Sequence, residues 1–165
     1  MTPAPAIPEK HDGELGDRSS VRLWLRLLSC TMAIEKQVQR RLAAQFDTTL
    51  PRFDVMAALD RRGEGMTKSE LSRALLVSNG NVTAIVRKLA QSGHVSVAPL
   101  PSDRRASLVR LTPAGRRHFG ALASAHHDWI DELLAGLAGP ERRTLFQALG
   151  RLKQSLEDAQ RKAAQ

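Results

Sequence analysis

The sequence predicts a mainly α-helical protein that carries one small β-hairpin, and three observations support this. From Arg18 to Phe46 the chain has neither Pro nor Gly, and apolar residues recur at helical spacing. Val95 and Val97 alternate with Ser96 and Ala98, and Val109 and Leu111 alternate with Arg110, a period of two that is typical of strands. Helical spacing then returns after residue 112. A length of 165 residues fits one domain with a core of its own.

The first predicted helix is long, about 40 Å at 1.5 Å per residue. A small core cannot cover such a helix along its whole length. We therefore expect part of it to pack on a second subunit. Its apolar stripe comprises Val21, Leu25, Leu28, Met32 and Leu42.

Three shorter helices follow. Pro51 predicts the first turn of the second helix, with Thr48 or Thr49 as its cap, and Gly63 ends it. Residues 67–70, Thr-Lys-Ser-Glu, form a capping box that opens the third helix. Ser78 caps the fourth helix, which we expect to run to Ser92 before Gly93 stops it.

The hairpin and two further helices complete the chain. Two short strands flank a loop that we place at residues 99–105, because Pro99 and Pro101 stiffen it. Thr112 and Pro113 are a cap and a first helical residue, and the fifth helix is predicted to reach about Ala138. A sixth helix starts after Gly139. Its seam of Leu145, Leu149, Leu152 and Leu156 favours packing against another helix.

The net charge of the chain limits the classes of partner that it is expected to bind. The chain has 25 basic and 17 acidic residues, a net charge of +8. Residues 1–17, a predicted disordered tail, carry a net charge of −3, which leaves +11 for the remainder. This excess indicates a polyanionic partner, either nucleic acid or an anionic membrane surface. Aromatic residues make up only 4% and Tyr is absent, which disfavours binding of single strands by base stacking.

The third and fourth helices, joined by a tight turn at Leu76 and Val77, predict a helix-turn-helix, and the hairpin after it would be a wing. The fourth helix can then enter the major groove of double-stranded DNA. Asn can bond adenine edges and Arg can bond guanine or phosphate. The predicted contacts on this helix are Ser78, Asn79, Gly80, Asn81, Thr83, Ala84, Arg87 and Lys88. On the wing they are Ser102, Asp103, Arg104 and Arg105, and on the third helix Thr67 and Lys68.

Three motifs together resemble the MarR family of bacterial transcriptional regulators, and the resemblance covers nearly everything after the tail. They are Asn81-Val82-Thr83 with Leu89 and Gly93, Asp103-Arg104-Arg105, and Leu111-Thr112-Pro113-Ala114-Gly115. The resemblance implies that Asp103 steadies the wing while Arg105 inserts toward the minor groove. It also implies a homodimer built from the first, fifth and sixth helices, and a pseudo-palindromic operator. Many members release DNA when a small ligand, often an aromatic acid, binds.

Two departures from the family pattern carry expectations. Where many members have Gly in the turn, this chain has Leu76, so the turn must avoid a positive φ or accept strain. The first wing strand reads Val95-Ser96-Val97-Ala98 where relatives commonly carry Arg. We therefore expect fewer phosphate contacts from that strand.

Other candidate sites are weaker. By analogy with the family, Trp24 and Phe53 would contact the ligand, and His126 could meet it; core packing is the alternative for both aromatics. We expect Cys30 to be a buried structural thiol. The alternative, an oxidant sensor, is disfavoured because the tyrosines that partner the thiol in such a sensor are missing from this chain. Histidines 118, 126 and 127 do not have the spacing of a zinc site, so we expect no metal and no cofactor.

The resulting organisation is one integrated domain over 18–165. It comprises an N-terminal dimerisation helix (18–46), a winged helix-turn-helix lobe (47–111) and C-terminal dimerisation helices (112–165), preceded by the tail (1–17). The predicted function is a ligand-responsive repressor acting on DNA in the bacterial cytoplasm, associated with the nucleoid when bound. No secretory signal, membrane span or catalytic constellation is expected. The alternative is a sequence-tolerant architectural DNA-binding protein.

Overall fold

The structure, a computed structural model, describes residues 19–100 and 103–163, and of residues 103–105 only the backbone. The predicted tail (1–17) and the wing residue Ser102 lie outside the described residues. Contacts divide the described chain into two compact units, one ending at Trp129 and one beginning at Ile130. Each unit is described by itself.

The predicted fold class, mainly α with a small β-hairpin, is confirmed. Six helices and three strands follow one another in the described part of the chain. In order they are α1 (Ser19–Phe46), α2 (Leu50–Arg62), β1 (Met66–Thr67), α3 (Lys68–Leu75), α4 (Asn79–Gln91), β2 (Val95–Leu100), β3 (Asp103–Leu111), α5 (Pro113–Leu133) and α6 (Gly139–Ala163).

The hairpin belongs to a three-stranded antiparallel sheet with the order β1-β3-β2. The sequence missed β1, in which Met66 pairs with Val109 of β3. Two residues are too few for an alternating pattern to stand out. The predicted loop at residues 99–105 is also too long, because β2 continues to Leu100, which pairs with Asp103. A proline on an edge strand such as β2 does not interrupt the ladder.

Helix α3 starts on the predicted capping box. The Thr67 hydroxyl accepts a hydrogen bond from the backbone N–H of Glu70 at 3.2 Å, and the Glu70 carboxylate accepts the Thr67 N–H at 2.8 Å. These hydrogen bonds from Thr67 are the main reason that the pKa of Glu70 lies below its ordinary value. Thr49 is the N-cap residue of α2, as predicted, although its side chain makes no capping hydrogen bond.

Substitution of Thr67 by Ala is expected to lower the free energy of unfolding by about 1 kcal/mol, since the Glu70 N–H loses its acceptor and the Glu70 carboxylate loses a hydroxyl donor. A carboxyl whose folded pKa is depressed stabilises above its unfolded pKa, and this contribution is lost as the pH falls through the folded pKa. The deficit of Thr67→Ala should therefore shrink in acid. Urea unfolding at pH 7 and pH 3 checks this, with Thr67→Ser as the variant that retains the cap; a deficit that does not depend on pH would contradict it.

Helix α5 ends earlier than predicted, at Leu133 rather than Ala138. The segment that follows contains Gly136, which costs about 1 kcal/mol relative to Ala in a helix. The guanidinium of Arg142 donates to the carbonyl oxygens of Leu134 and Leu137, at 2.9 and 3.1 Å. These bonds satisfy carbonyls of the turn that follows α5 and tie this turn to the start of α6.

The first unit holds the core. Its fully buried side chains come from all four of the first helices and from β3 and α5; they include Leu42, Met56, Leu71, Val82, Val86, Leu89, Val109 and Leu122. Cys30 is exposed, so the expectation of a buried thiol is wrong. Ser29 is the only buried residue in the first half of α1, and Cys30 lies about 100° farther round the helix.

Helix α6 in the second unit buries no residue within the chain. Its predicted leucine seam is therefore open to solvent, with Leu145 exposed to 45% and Leu156 to 56%. Val21 and Trp24, both near the start of α1, are also more than half exposed. None of the helices in the described chain combines the length and apolar composition that a membrane crossing requires.

Candidate nucleic-acid interface

Helix α4 presents one polar face to solvent and one apolar face to the core. Val82, Val86 and Leu89 are buried, as the spacing predicted. The start of the helix is fixed because the Ser78 hydroxyl accepts the Asn81 N–H at 3.4 Å. All eight residues that the sequence assigned to this interface are exposed: Ser78, Asn79, Gly80, Asn81, Thr83, Ala84, Arg87 and Lys88. The face therefore carries amide, hydroxyl and basic groups with no neighbour covering it.

The turn before α4 accepts strain. Leu76 has φ 54° and ψ 37°, the left-handed conformation that costs a residue with a Cβ about 1–2 kcal/mol. Its N–H and that of Val77 both donate to the carbonyl of Ser72, which closes the end of α3. The Leu76 side chain is 93% exposed, so packing does not compensate. The turn thus keeps the geometry for which glycine is the usual residue.

The wing leaves the helical lobe at a close junction. The N–H of Thr112 donates to the carbonyl of His94 at 3.0 Å, and its hydroxyl donates to the carbonyl of Gly93 at 2.7 Å. The same hydroxyl accepts the N–H of Gly115 at 2.9 Å. Gly115 packs so closely that a Cβ there would lie 1.9 Å from the His94 oxygen. The base of the wing and the start of α5 are therefore joined backbone to backbone.

The basic residues of the wing do not all serve one purpose. Arg110 donates from Nε to the carbonyl of Glu64 at 2.8 Å, which anchors β3 to the segment before β1. Asp103, Arg104 and Arg105 begin β3, and the pairing of Asp103 with Leu100 places them at the end of the hairpin remote from α5. Their side chains and that of Ser102 are not among those described, so the wing contacts stay predictions.

Thr67 and Lys68, the two DNA contacts predicted at the third helix, are less exposed than the contact residues on α4. The hydroxyl of Thr67 lies 2.9 Å from the carboxylate of Glu70 in the capping box, and the side chain is partly buried. Lys68, the first residue of α3, is half-buried. Thr67 therefore has the structural role in the capping box that the sequence predicted. Its contact with DNA stays a prediction.

The residues predicted to contact a ligand do not form one group. The rings of Phe53 and His126 stack with centroids 4.6 Å apart, and Phe119 adds a tilted contact on Phe53. Burial, with the neighbouring His127, lowers the pKa of His126 below its ordinary 6.5. Trp24 is 57% exposed and takes part in no ring contact recorded among the described residues. Phe53 is buried, which matches the alternative of core packing.

A second group of rings, which the sequence did not reveal, includes His94, the residue directly before β2. His94 and His118 stack with centroids 4.2 Å apart, and Phe46 meets His118 edge-on. Burial and the charge of His94 lower the pKa of His118. Arg41 lies 6.0 Å from the Trp129 ring. No cluster of three His, Cys, Asp or Glu side chains fit to hold a metal occurs among the residues that the structure describes.

The sequence also missed a cleft between α1 and α2 with a volume of about 480 Å³. From their apolar residues the two helices are expected to pack on each other, and no local sequence pattern shows where a space remains between them. The side chains that line the cleft are Met32, Glu35, Lys36, Gln39, Leu50, Pro51 and Asp54.

Comparison with known proteins agrees with this architecture. The model of the MarR family matches residues 46–106, from the end of α1 to the wing. BadR of Rhodopseudomonas palustris, a transcriptional activatory protein, is 36% identical over 104 residues, which is 62% of this chain and 59% of BadR. A MarR family transcriptional regulator from Silicibacter pomeroyi is 31% identical, with a TM-score of 0.74 over 86% of this chain and 99% of that protein.

A third match is MarR from E. coli, in the form of a cysteine-to-serine mutant in complex with operator DNA. It is 25% identical, with a TM-score of 0.72 over 81% of this chain and 94% of that protein. The chain belongs to the MarR family. It matches less than two thirds of the length of BadR.

Proposed function

We propose that this protein is a homodimeric MarR-type repressor that binds a pseudo-palindromic operator in double-stranded DNA and is released by a small ligand. The observation that supports this proposal most directly concerns α4. Its eight predicted contact residues are all exposed, while its opposite face is buried in the core. A net charge of +8 supports a polyanionic partner. The operator complex of E. coli MarR supports the same use of the fold. Its site of action would be DNA in the bacterial cytoplasm.

Dimerisation is supported by the apolar surface that the chain leaves open. Helix α6 exposes its leucine seam and Phe146, which is 80% exposed. Val21 and Trp24 on α1 are exposed as well. Isolated exposed apolar residues are ordinary, but a continuous helical seam of them is typical of an interface between chains. A two-fold dimer would present two α4 helices about one turn of DNA apart, which requires two half-sites.

Release by a ligand follows the rule of linkage. A ligand that prefers the form unable to bind DNA weakens DNA binding by the ratio of its affinities for the two forms. The family resemblance favours an aromatic acid, with Phe53 and His126 as the contacts that the fold brings together.

Selection from a random pool of DNA duplexes tests the proposal. We expect a two-fold symmetric sequence to emerge and to bind at least about 10³-fold more tightly than shuffled duplexes at fixed salt. A ratio near one would favour the alternative, a sequence-tolerant architectural protein. Transcription in vitro from a template with this operator should fall on adding the protein. Because the name of BadR describes activation, a rise would overturn the repressor assignment and leave the DNA binding standing.

Substitution of Asn81 by Ala should relax the choice of base at one operator position in each half-site, because an amide that bonds adenine in two places discriminates by about 1–3 kcal/mol. The measurement compares the variant with the parent on the selected operator and on duplexes with single base-pair changes. Gln91→Ala is the matched control, since Gln91 carries the same amide at the other end of α4 and is exposed. A uniform loss on all duplexes would mean that Asn81 positions the helix without reading a base.

A further inference from the structure

The sequence contains two asparagines, Asn79 and Asn81, and both lie in the first turn of α4. Both are exposed, but the residues that follow them differ. Asn79 precedes Gly80, which is exposed, whereas Asn81 precedes Val82, which is buried. A glycine leaves its backbone nitrogen accessible and its chain free to change conformation, while a β-branched residue such as valine restricts both. The two side-chain amides therefore differ in the backbone nitrogen next to them.

The backbone nitrogen of Gly80 is free, and that of Val82 is not. The Gly80 N–H belongs to the first turn, where α4 offers it no carbonyl, and it has no other acceptor among the described residues. The Val82 N–H donates to the carbonyl of Ser78 at 3.2 Å. Among the described atoms, a Cβ built on Gly80 would come within 4 Å only of the Ser78 hydroxyl, at 4.0 Å. Neither a hydrogen bond nor packing therefore shields the Gly80 nitrogen.

We propose that Asn79 is a site of spontaneous deamidation, which converts the exposed face of α4 into a form that binds DNA weakly. The nitrogen of Gly80 attacks Cγ of Asn79, and the side-chain amide nitrogen leaves as ammonia, taking up the Gly80 proton through solvent. The product is a cyclic imide. Water then opens this ring at either of its two carbonyls and gives aspartate or isoaspartate. The chain gains one negative charge, and water is the only co-reactant.

The fold should tolerate the new charge, whereas bound DNA should not. A carboxylate at position 79 would stand at the N-terminus of α4, where the helix dipole favours negative charge. In the proposed complex the same carboxylate would face the phosphates, against the attraction that Arg87 and Lys88 supply. Isoaspartate also lengthens the main chain in the first turn of α4. This effect on DNA binding rests on the proposed function, but the reaction itself does not.

Opening of the first turn controls the rate of the reaction. Ring closure needs a ψ of Asn79 outside the helical range, so the Thr83 hydroxyl must release the Asn79 carbonyl, a bond of 3.0 Å. The capping bond from the Asn81 N–H to the Ser78 hydroxyl must open as well, and at 3.4 Å it is long. Both bonds are exposed, and helix ends fray. Bound DNA would cover this turn, so the reaction is expected in free protein and not in the complex.

Peptide mapping by mass spectrometry of the full chain, incubated at neutral pH and then cleaved with trypsin, tests the reaction. Trypsin releases residues 74–87, which include both asparagines. We expect the mass change from amide to carboxyl at Asn79 to be at least about tenfold faster than at Asn81, and Gly80→Ala to slow it by a similar factor. Equal rates at the two asparagines would overturn the proposal. It would also be overturned if Asn79 stayed intact in the protein while a synthetic peptide of residues 74–87 was converted.

The consequence for DNA binding is measured on converted and unconverted protein, separated by ion-exchange chromatography. The converted fraction should bind the operator at least about tenfold more weakly, and operator added during incubation should prevent conversion. Asn79→Asp should bind more weakly than Asn79→Ala, while its free energy of unfolding stays at or above that of the parent. Equal binding by the two fractions would overturn the loss of function. If Asn79 is converted but the unconverted protein selects no operator, the proposed function fails and the deamidation site stands.

Discussion

Replacement of Gly115 by Ala is expected to lower the free energy of unfolding by about 3 kcal/mol or more. The added Cβ would lie 1.9 Å from the carbonyl oxygen of His94 and 2.8 Å from its carbon. Both are backbone atoms, so no side chain can rotate away and α5 must shift from the wing. The shift would also stretch the Thr112 bonds to Gly93 and His94. Overpacking usually costs about 1–3 kcal/mol, and a clash with fixed backbone belongs at the upper end or above it.

Gly120→Ala is the matched control for this prediction. Gly120 lies in the same helix, is exposed, and a Cβ there would meet no atom within 4 Å. Because Ala is the better helix former by about 1 kcal/mol, this variant should be as stable as the parent or more so. Urea unfolding followed by circular dichroism measures both. If Gly115→Ala unfolds at the urea concentration of the parent, the close junction between wing and helix does not exist in solution.

Gly115 also shows which features of this junction the sequence predicts and which become visible only in the structure. The run Leu111-Thr112-Pro113-Ala114-Gly115 was recognisable as a motif, and its Thr-Pro pair correctly predicted the start of α5. The reason for the glycine was not accessible, because it depends on His94, about twenty residues earlier. Local patterns encode caps and helix faces, whereas a close approach between distant segments leaves no local pattern.

The same distinction explains the other successes and errors. The apolar face of α4 follows from a spacing of 3.6 residues, and its eight exposed positions follow from the same count. The predicted length of α5 was wrong, and the turn that replaces its last residues is held by Arg142, whose bonds to the Leu134 and Leu137 carbonyls leave no local pattern. The expectation for Cys30 was wrong because helical spacing alone does not say which part of α1 the core covers.

The α1–α2 cleft illustrates what sequence reasoning cannot supply. Glu35 and Asp54 are nineteen residues apart and each fits a solvated helix face. Only the packing of the two helices brings the carboxylates together and leaves Asp54 without a partner among the described residues. The neighbours of a charge therefore decide whether its pKa departs from the ordinary value.

Arg105→Ala is expected to weaken operator binding by about 1–3 kcal/mol, or roughly 5- to 150-fold. Arg105 lies in β3 near the end of the hairpin remote from α5. The proposed interface assigns it to the minor groove next to the major groove that α4 would enter. A narrow minor groove concentrates negative potential, so an arginine there gains more than one on open phosphates. The loss should therefore be larger when the bases under the wing are an A·T run than when they are G·C.

Fluorescence anisotropy with labelled operator duplexes, at two salt concentrations, separates these contributions. Loss of one contact to phosphate should reduce the slope of log affinity against log salt by about one. Arg151→Ala is the control, since it removes the same charge from an exposed position on α6. Because binding by net charge alone would treat both arginines equally, equal losses would exclude a specific wing contact. Unchanged binding by Arg105→Ala would remove the wing from the interface and leave α4 as the DNA-reading element.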